Sequence, residues 1–362
     1  MGSACARALA KRGAAVVGFD RLPTQHSGGS THGHTRIIRE AYYEHPLYVP
    51  LVRRAYELWS ELEREVDEVL FLQTGGLWVG PEKGELVQGA LESARSHAIA
   101  HDVLDAPEIA RRFPAYRARP EWVGLLEHRA GMLFPEKCVT ALLESAKYYG
   151  ASLSMGDPVV SWSANASGVA VQTHNGRFHA DRLIVAAGAW LPGLLEGSGF
   201  KIPLEVERQM SHWFAPASRD EKYLATRTPV ALWEFPGDLF LTMADDGHGV
   251  KCGKHHSGLP TSPDTVNRVV SDTENAEARE LLDDVMPGAG GTLLDARVCL
   301  YTNTPDRHFI IDWAPGGRVL ILSPCSGHGF KFATAIGEVA AQLVDDGKAW
   351  IDLAPFSLSR FR

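Results

Sequence analysis

The sequence predicts an α/β protein built from two interleaved domains. Its 362 residues exceed the roughly 250–300 residues at which a single hydrophobic core stops growing. The chain begins with a helix, a glycine, an apolar strand and an acidic residue, an order typical of α/β units. The stretch Met210–Gly253 instead alternates aromatic and polar residues, which predicts an antiparallel sheet. Because no long linker separates such regions, we expect the domains to be interleaved along the chain.

Composition is that of an ordinary globular protein. The hydrophobic fraction of 45% and the charged fraction of 22% are usual, and no apolar stretch reaches the roughly 20 residues that cross a bilayer. A net charge of -8 disfavours nucleic acid, whose phosphates need clustered Lys and Arg. Five cysteines without a CxxC pair predict neither disulfides nor zinc. Since Met1–Gly13 lacks the apolar segment of a signal peptide, we expect a soluble cytoplasmic protein with no metal and no membrane contact.

The first predicted element is an alanine-rich helix over Ser3–Arg12, ended by Gly13. The apolar run Ala14–Phe19 then predicts a short buried strand, and Asp20 stands at its end. In a βαβ dinucleotide-binding unit, an acid at this place binds the ribose hydroxyls of the cofactor. Asp20 is therefore a candidate cofactor ligand. The alternative is an ordinary helix and strand of any α/β protein.

A complete unit of this kind has one more strand and a G-x-G-x-x-G turn before the helix. Only the final glycine, Gly2, can be placed here, and it is a candidate for contact with the cofactor. We therefore expect an N-terminally truncated unit without its central strand, which would leave unpaired backbone groups and an apolar slot. A start site placed too late, with Met1 inside the glycine motif, is the simplest explanation.

The remaining elements follow from periodicity and turn residues. Helices are predicted at Pro46–Val66, Val139–Tyr149 and about Lys331–Asp346. A hairpin that feeds a buried strand is predicted from Val169–Thr173, the turn Asn175-Gly176 and Arg182–Ala187. The buried strand ends in small residues beginning with Gly188, where a cofactor and the backbone can approach closely.

Five segments together are specific enough to indicate a family. In chain order they are Gly33–Arg39, Val185–Trp190, Arg297–Thr302, His308–Asp312 and Ser326–Phe332. In the order and separation of these segments, the chain resembles the monomeric sarcosine oxidase and N-methyltryptophan oxidase family, within the glycine/D-amino-acid oxidase group. The resemblance extends over essentially the whole chain. The last three segments together are specific to this subfamily, whereas the alanine-glycine strand is shared with many flavoproteins.

The resemblance implies an FAD-binding Rossmann-like domain of the glutathione reductase type, interleaved with an antiparallel-sheet substrate domain. The FAD domain would comprise residues 1–70, 137–208 and 296–362, and the substrate domain residues 71–136 and 209–295. The resemblance also implies that FAD is attached through a thioether to Cys299. The alternative for Cys299 is a small buried hydrophobic residue, the commonest fate of a free cysteine.

The implied activity is oxidation of a secondary N-methyl amino acid such as sarcosine or N-methyltryptophan. The products would be the demethylated amino acid, formaldehyde and hydrogen peroxide, with O2 as the electron acceptor and a monomer as the active form. Two alternatives stay open. One is a dehydrogenase that uses another electron acceptor, and the other is a truncated remnant without catalytic activity.

Substrate binding needs fixed cations for the carboxylate, and Arg39 and Lys331 match the clamp of the family. A salt bridge of Arg39 to Glu40 or Glu44, and a solvated position for Lys331, are the alternatives. Phe240 is expected in the pocket where sarcosine oxidase has a tyrosine. The pocket would then lack one hydroxyl and admit a larger substrate side chain.

By the same resemblance, the candidates for catalysis are Thr35, Arg36, Lys251 and His255. Lys251 matches a lysine that stabilises the negative charge developing on oxygen. Arg36, next to Thr35, is expected to contact the flavin, and His255 matches a histidine of the substrate pocket. His32 matches another histidine near the flavin. Because 15 histidines are scattered through the chain, ordinary structural roles are the alternative for both.

Gly188, Gly327 and Gly329 are predicted to contact the cofactor. Without side chains at 327 and 329, the flavin pyrimidine could lie at the N-terminus of the final helix. The partial positive charge of that helix end would stabilise negative charge on the reduced flavin. A simple turn before a helix is the alternative.

Overall fold

A computed structural model describes residues 1–24, 26–196 and 200–361. The α-helices in these ranges are α1 Gly2–Lys11, α2 Val49–Val66, α3 Glu85–Ser96, α4 Ala106–Arg112, α5 Pro135–Tyr148, α6 Leu191–Leu194, α7 Asp272–Val285 and α8 Ala333–Asp345. The strands are β1 Val17–Asp20, β2 Arg36–Ile38, β3 Phe71–Gln73, β4 Gly76–Pro81, β5 His101–Asp105, β6 Trp122–Glu127, β7 Gly131–Leu133, β8 Ser152–Met155, β9 Val159–Asn165, β10 Gly168–Thr173, β11 Arg177–Ala180, β12 Leu183–Val185, β13 Glu205–Ala215, β14 Val230–Phe235, β15 Asp238–Met243, β16 Val250–His255, β17 Leu259–Pro260, β18 Thr292–Asn303, β19 Ile310–Trp313 and β20 Val319–Ser323. Short 3-10 helices lie at Pro46–Tyr48, Gly188–Trp190, Glu221–Tyr223, Phe330–Phe332, Ala354–Phe356 and Leu358–Phe361.

The predicted α/β fold class is confirmed. One layer is a nine-stranded sheet of order β17-β13-β16-β15-β14-β4-β6-β5, with β18 also paired to β13. Its strand pairs are antiparallel, apart from the parallel pair β14 and β4. Strands β13 to β16 form the sheet that the alternating pattern of residues 210–253 predicts. Because side chains alternate across a strand, this sheet presents one face to each of two hydrophobic cores.

The first helix forms where the alanine-rich sequence predicts it. Gly13, with a φ of +88°, follows the end of α1 in the left-handed conformation that glycine adopts without strain. On the partner helix α8, a Cβ at Gly337 would lie 2.6 Å from the carbonyl oxygen of Ala4. Glycine at this position therefore lets the backbones of α1 and α8 pack in direct contact. The predicted helices corresponding to α2, α5 and α8 also form.

Two small parallel pairings lie beside these helices. Strand β1 pairs with β8, and β12 pairs with β20, which also pairs antiparallel with β19. Among the described strands, the two sheets are not joined to each other. Apolar side chains of both sheets, including Leu153, Ile184 and Leu322, line the large cleft that runs between them. The hairpin of β10 and β11 leads into β12, as the Asn-Gly turn predicts.

The division into an FAD domain and a substrate domain stays a prediction. Two of its boundaries, at 208/209 and 295/296, fall inside β13 and β18. These strands pair along residues 205–215 and 292–303, so they form one continuous ribbon across both boundaries. No helix of the described residues is long and apolar enough to span a bilayer.

Candidate active site

A cleft of about 1580 Å³ runs from the N-terminus of α1 to the face of the nine-stranded sheet. At its first end, Gly2 opens α1, and no side chain caps the helix. Free N–H groups at a helix N-terminus favour a phosphate. Asp20 at the end of β1 and Gly188, with a φ of +53° and open space beside it, line the same region. The structure therefore brings three of the predicted cofactor residues to one end of the cleft.

Further along the cleft, Arg36 lies beside Cys299. Strand β2 carries Arg36, and β18 carries Cys299. The Arg36 guanidinium donates to the carbonyl oxygens of Thr35 at 2.8 Å and Ser30 at 2.9 Å, and its Nη2 lies 3.9 Å from the Cys299 Sγ. Backbone oxygens thus hold the Arg36 guanidinium in place, and its positive charge lies next to the Cys299 thiol.

Lys251 is buried and belongs to the same group. Its Nζ donates to the carbonyl oxygens of Gly33 and Thr35, each at 2.8 Å, and lies over the Trp213 ring. Burial, with the nearby Arg36, lowers the pKa of Lys251 well below its ordinary value. Thr35 thus contributes its carbonyl oxygen to this group. Its side chain is buried and does not line the cleft.

His32 is buried behind this group and does not line the cleft. Burial, followed by the charges of Arg36 and Lys251, lowers the pKa of His32 to about 3. Neither of its ring nitrogens has a hydrogen-bond partner among the described residues. The structure therefore places His32 near Arg36 and Lys251 but not on the cleft wall, and its position near the flavin stays a prediction.

Arg39 and Lys331 meet in a second buried cluster. Arg39 donates to both carboxylate oxygens of Glu44 at 2.7 Å, so one predicted alternative, a salt bridge to Glu44, is present in buried form. Burial opposes both charges, but the pairing raises the pKa of Arg39 and lowers that of Glu44. The Arg39 guanidinium also lies over the rings of Tyr42 and Trp78, at 4.2 and 5.6 Å.

Lys331 lines the cleft and is 5% exposed, which excludes a solvated helix position. Its Nζ donates to the carbonyl oxygen of His328 at 2.7 Å and to the Tyr42 hydroxyl at 3.3 Å. The Trp59 indole donates to the Lys331 carbonyl oxygen at 2.9 Å and ties it to α2. Burial, with the charge of Arg39, lowers the pKa of Lys331 to about 7.

His255 is the member of the His255-His256 pair that lines the cleft. Its Nδ1 lies 2.9 Å from the Tyr301 hydroxyl, and burial lowers the pKa of the imidazole well below its ordinary value. Tyr301 stands two residues after Cys299 on β18, so both side chains project from one face of the strand. His255 is thus held neutral beside Tyr301.

The glycines before α8 line the cleft, their contact with the cofactor stays a prediction, and packing is a second reason for glycine at these positions. A Cβ at Gly327 would lie 2.4 Å from the Tyr301 ring, and one at Gly329 would lie 1.5 Å from the carbonyl oxygen of Pro324. Protein atoms therefore occupy the space that side chains would take. Glycine is required for packing, and Gly327 also has a φ of +77°.

The prediction that Phe240 lies in the substrate pocket is wrong. Phe240 is completely buried in the hydrophobic core on the opposite face of the sheet, with Trp233 and Cys252, and does not line the cleft. In a strand a shift of one residue moves a side chain to the other face. The neighbouring Leu241 and Met243 face the cleft instead.

Four residues of these clusters are not predicted from the sequence. Tyr301 lies inside the segment Arg297–Thr302, and its spacing of two from Cys299 is a signal that could have identified it. His328 lies inside the segment Ser326–Phe332, three residues before Lys331, whereas Tyr42 contacts Lys331 from a distant segment without a local pattern. The Glu136 carboxylate accepts from the backbone N–H groups of Gly33 and His34 and supports the segment that binds Lys251.

The residues present fit FAD. An uncapped helix end and the acid Asp20 suit a pyrophosphate and a ribose at one end of the cleft. The thiol of Cys299 and the half-buried cation of Arg36 suit a flavin ring at the other end. With the α/β fold, this arrangement defines a flavin-dependent oxidoreductase.

Comparison with known proteins identifies the family. Residues 1–343 match the family model described as FAD dependent oxidoreductase, and the chain belongs to that family. Monomeric sarcosine oxidase of Streptomyces avermitilis is 36% identical over 353 residues, which cover 96% of this chain and 91% of the relative. N-methyl-L-tryptophan oxidase of Salmonella arizonae is 34% identical over 366 residues, which cover 100% and 96%. The predicted resemblance to flavin amine oxidases is thereby confirmed.

Solved structures show the same fold. L-proline dehydrogenase from P. horikoshii matches with a TM-score of 0.86 at 23% identity and covers 99% of this chain and 94% of the other. NikD, described as an unusual amino acid oxidase essential for nikkomycin biosynthesis, matches with a TM-score of 0.85 at 23% identity. Its match covers 98% of this chain and 94% of NikD.

Proposed function

We propose that the protein oxidises a secondary N-methyl amino acid with FAD as cofactor and O2 as electron acceptor. The substrate loses a hydride and a proton to give an imine, and water hydrolyses the imine to the demethylated amino acid and formaldehyde. Oxygen takes up two electrons and two protons to give hydrogen peroxide. The observation that carries this proposal is one cleft lined by the cations Arg39 and Lys331 and by Arg36, Lys251 and Cys299.

Carboxylate binding falls to Lys331 and Arg39. Two of the three ammonium hydrogens of Lys331 have partners in His328 and Tyr42, which leaves one for a substrate oxygen. Arg39 donates to both Glu44 oxygens through Nη2 alone and to the Ala41 carbonyl oxygen through Nη1, which leaves its other N–H groups for a substrate oxygen. The two cations would fix the carboxylate end of the substrate.

The amine end of the substrate must be neutral, because an ammonium group has no lone pair to assist hydride loss. His255 is held neutral by burial, so it adds no positive charge that would oppose binding. A neutral imidazole can also take the amine proton. When bound, FAD supplies the two-electron acceptor that oxygen reoxidises.

Lys251 is suited to the oxygen half-reaction. Burial lowers its pKa, but a negative charge developing next to its Nζ would raise that pKa again. The side chain can therefore take up positive charge as oxygen becomes reduced, without moving away from the carbonyl oxygens of Gly33 and Thr35.

Peroxide formation from a panel of N-methyl amino acids tests the proposed function. The expected result is a protein that binds FAD and forms peroxide, and the Lys251→Met variant should be reoxidised by oxygen at least tenfold more slowly while flavin reduction changes little. Lys254→Met, which changes a cleft lysine paired with Asp238, is the control. No peroxide with any secondary amino acid would contradict the proposal. Fast reduction of flavin with equally slow reoxidation in both wild type and variant would favour a dehydrogenase.

We also propose a thioether between FAD and Cys299, in which a C–S bond would replace the thiol S–H bond and one C–H bond of the flavin, with loss of two protons and with the two electrons passing through the flavin to O2. Support comes from the buried thiol next to Arg36 on the wall of the cleft. Flavin should remain with the polypeptide after acid precipitation in the wild type and in Cys325→Ala, a second cleft cysteine, but not in Cys299→Ala. Flavin retained by Cys299→Ala would exclude this attachment.

A monomer in the cytoplasm is the further part of the proposal. Support comes from the relatives named monomeric sarcosine oxidase and from five cysteines that are all unpaired. Light scattering of the purified protein would report a mass near 39.5 kDa for a monomer.

A further inference from the structure

The sheet above the cleft carries a continuous row of apolar side chains. Leu232 on β14 is the direct partner of Trp78 on β4 and of Leu241 on β15. Side chains of direct partners project from the same face of a sheet. Since neighbouring strands lie about 4.8 Å apart, the row extends about 10 Å from Trp78 to Leu241.

This row starts beside the proposed carboxylate clamp. The Arg39 guanidinium lies 5.6 Å from the centre of the Trp78 ring. Leu232 and Leu241 then line the cleft. A substrate whose carboxylate is held by Arg39 and Lys331 would therefore have the two leucines next to the rest of its carbon chain.

The apolar surface ends at the catalytic lysine. Met243 also lines the cleft, and its direct partner on β16 is Lys251. The Phe240 and Thr242 side chains of β15, on either side of Leu241, face the opposite core. Of the residues of β14 and β15, Leu232, Leu241 and Met243 line the cleft. Glu234 alternates to the same face as Leu232, but it accepts from the backbone N–H groups of Glu85 and Leu86 and does not line the cleft.

We propose that Leu232, Leu241 and Met243 form the surface that receives the substrate side chain, and that the preferred substrate has a branched aliphatic side chain. This inference rests on the proposed oxidation of an N-methyl amino acid. Sarcosine has only hydrogen on the α-carbon, where this side chain would be attached, and would leave the two leucines without an apolar group to contact. Each methylene buried against such a surface strengthens binding roughly fourfold.

Binding of carboxylates that cannot be oxidised tests the surface separately from the reaction. Acetate and 3-methylbutanoate share the carboxylate and differ by the branched aliphatic group. Isothermal titration of the FAD-loaded protein should show 3-methylbutanoate binding at least about tenfold more tightly than acetate, because three more carbons are buried. Equal affinities would overturn the proposal.

Two substitutions at one position locate the effect. Leu241→Ala and Leu241→Tyr should each weaken 3-methylbutanoate binding by about tenfold and leave acetate binding within twofold. Phe240→Leu is the matched control, because residue 240 faces the other core, and it should not alter the ratio of the two affinities. A change in this ratio for Phe240→Leu but not for the Leu241 variants would contradict the assignment.

Peroxide assays distinguish this inference from the proposed function. The expected kcat/KM for N-methylvaline exceeds that for sarcosine at least tenfold, and Leu241→Tyr should reduce this preference. If sarcosine is oxidised as well as N-methylvaline and the two carboxylates bind equally, the surface assignment is wrong and the proposed function stands. If the carboxylates differ as expected and no N-methyl amino acid yields peroxide, the proposed function is wrong and the apolar surface stands.

Discussion

At the scale of single residues, burial determines how the cations of the cleft behave. Lys331 and Lys251 are both buried and have lowered pKa values, whereas Arg39 keeps its charge through Glu44. Arginine is suited to a permanent charge in a buried site, and lysine to a charge that depends on its surroundings. The motif that predicts Arg39 and Lys331 cannot show this difference, because the burial comes from α2, α8 and the segment that contains Tyr42.

Carboxylate binding should depend on pH through Lys331. Below its pKa of about 7 the side chain carries a proton and attracts acetate, and above this value the neutral amine does so weakly. Acetate affinity should therefore fall by up to about tenfold per pH unit between pH 7 and 9. Titration calorimetry of wild type and Lys331→Met measures this pH dependence of acetate affinity. The variant should bind weakly at pH 6 with a much flatter profile, and an unchanged profile would contradict the role of Lys331.

Gly329 should tolerate no side chain. A Cβ there would lie 1.5 Å from the Pro324 carbonyl oxygen. This oxygen belongs to the backbone, so it can move only if the whole turn between Pro324 and Gly329 shifts. We expect Gly329→Ala to lower the free energy of unfolding by about 1 to 3 kcal/mol. Gly193→Ala, with nothing within 4 Å of the added carbon, is the control. Denaturant unfolding checks this, and equal stability of both variants would show that the turn can adjust.

At the scale of elements, strand register assigns residues to one core or the other. The sequence predicts strands over Met210–Gly253, and the resemblance implies Phe240 in the pocket, whereas the structure has Leu241 on the cleft wall. The pairing of β15 with β14 and β16 removes this ambiguity, because it joins Leu241 to Leu232 and Gly253. Sequence periodicity identifies two faces of a strand, and only the neighbours show which face covers the site.

Glu127 links β6 to the segment after β2. Its carboxylate accepts from the backbone N–H groups of Glu40 at 2.7 Å and Ala41 at 2.8 Å, directly after Arg39. Glu127→Ala would leave both buried donors without a partner, so we expect a loss of about 2 to 4 kcal/mol of stability. Acetate binding should also weaken, because Arg39 would be less well positioned. Exposed Glu121 provides the control variant Glu121→Ala.

The pH dependence of stability gives a second check on Glu127. Burial raises the pKa of its carboxyl from 4.5 to about 7. The folded state therefore binds more protons than the unfolded state between these values, and the contribution of Glu127 to stability falls as pH rises from about 4.5 to 7. Denaturant unfolding across this range should show the decline in wild type and not in Glu127→Ala. A decline of equal size in both would assign it to other groups.

At the scale of the whole molecule, the long ribbon of β13 and β18 joins the parts of the chain that hold the site. It carries Cys299 and Tyr301 and pairs through β13 with the strand of Lys251 and His255. The sheet of β1 and β8 is much smaller, with four paired residues on each strand. The half of the cleft near α1 thus has less hydrogen-bonded support than the half near Cys299.

Amide hydrogen exchange should reflect this difference. We expect amides of β1 and β8 to exchange at least tenfold faster than those at the centre of β13 and β18, because short exposed pairings open locally. Val17 at the start of β1 is 52% exposed, which agrees with this expectation. Mass spectrometry of peptides from these strands measures the rates. Equal protection would mean that both halves of the cleft open only with the whole molecule.

The sequence by itself determined the fold class, the order of elements and the family. Helical and strand periodicity are local, and the motifs from Gly33 to Lys331 keep their order along the chain. Only the tertiary structure decided that Arg39 pairs with Glu44, that Thr35 acts through its carbonyl oxygen, and that Leu241 replaces Phe240 on the cleft wall. These outcomes depend on contacts between segments far apart in the chain and on which face of each strand is covered, and no local pattern contains that information.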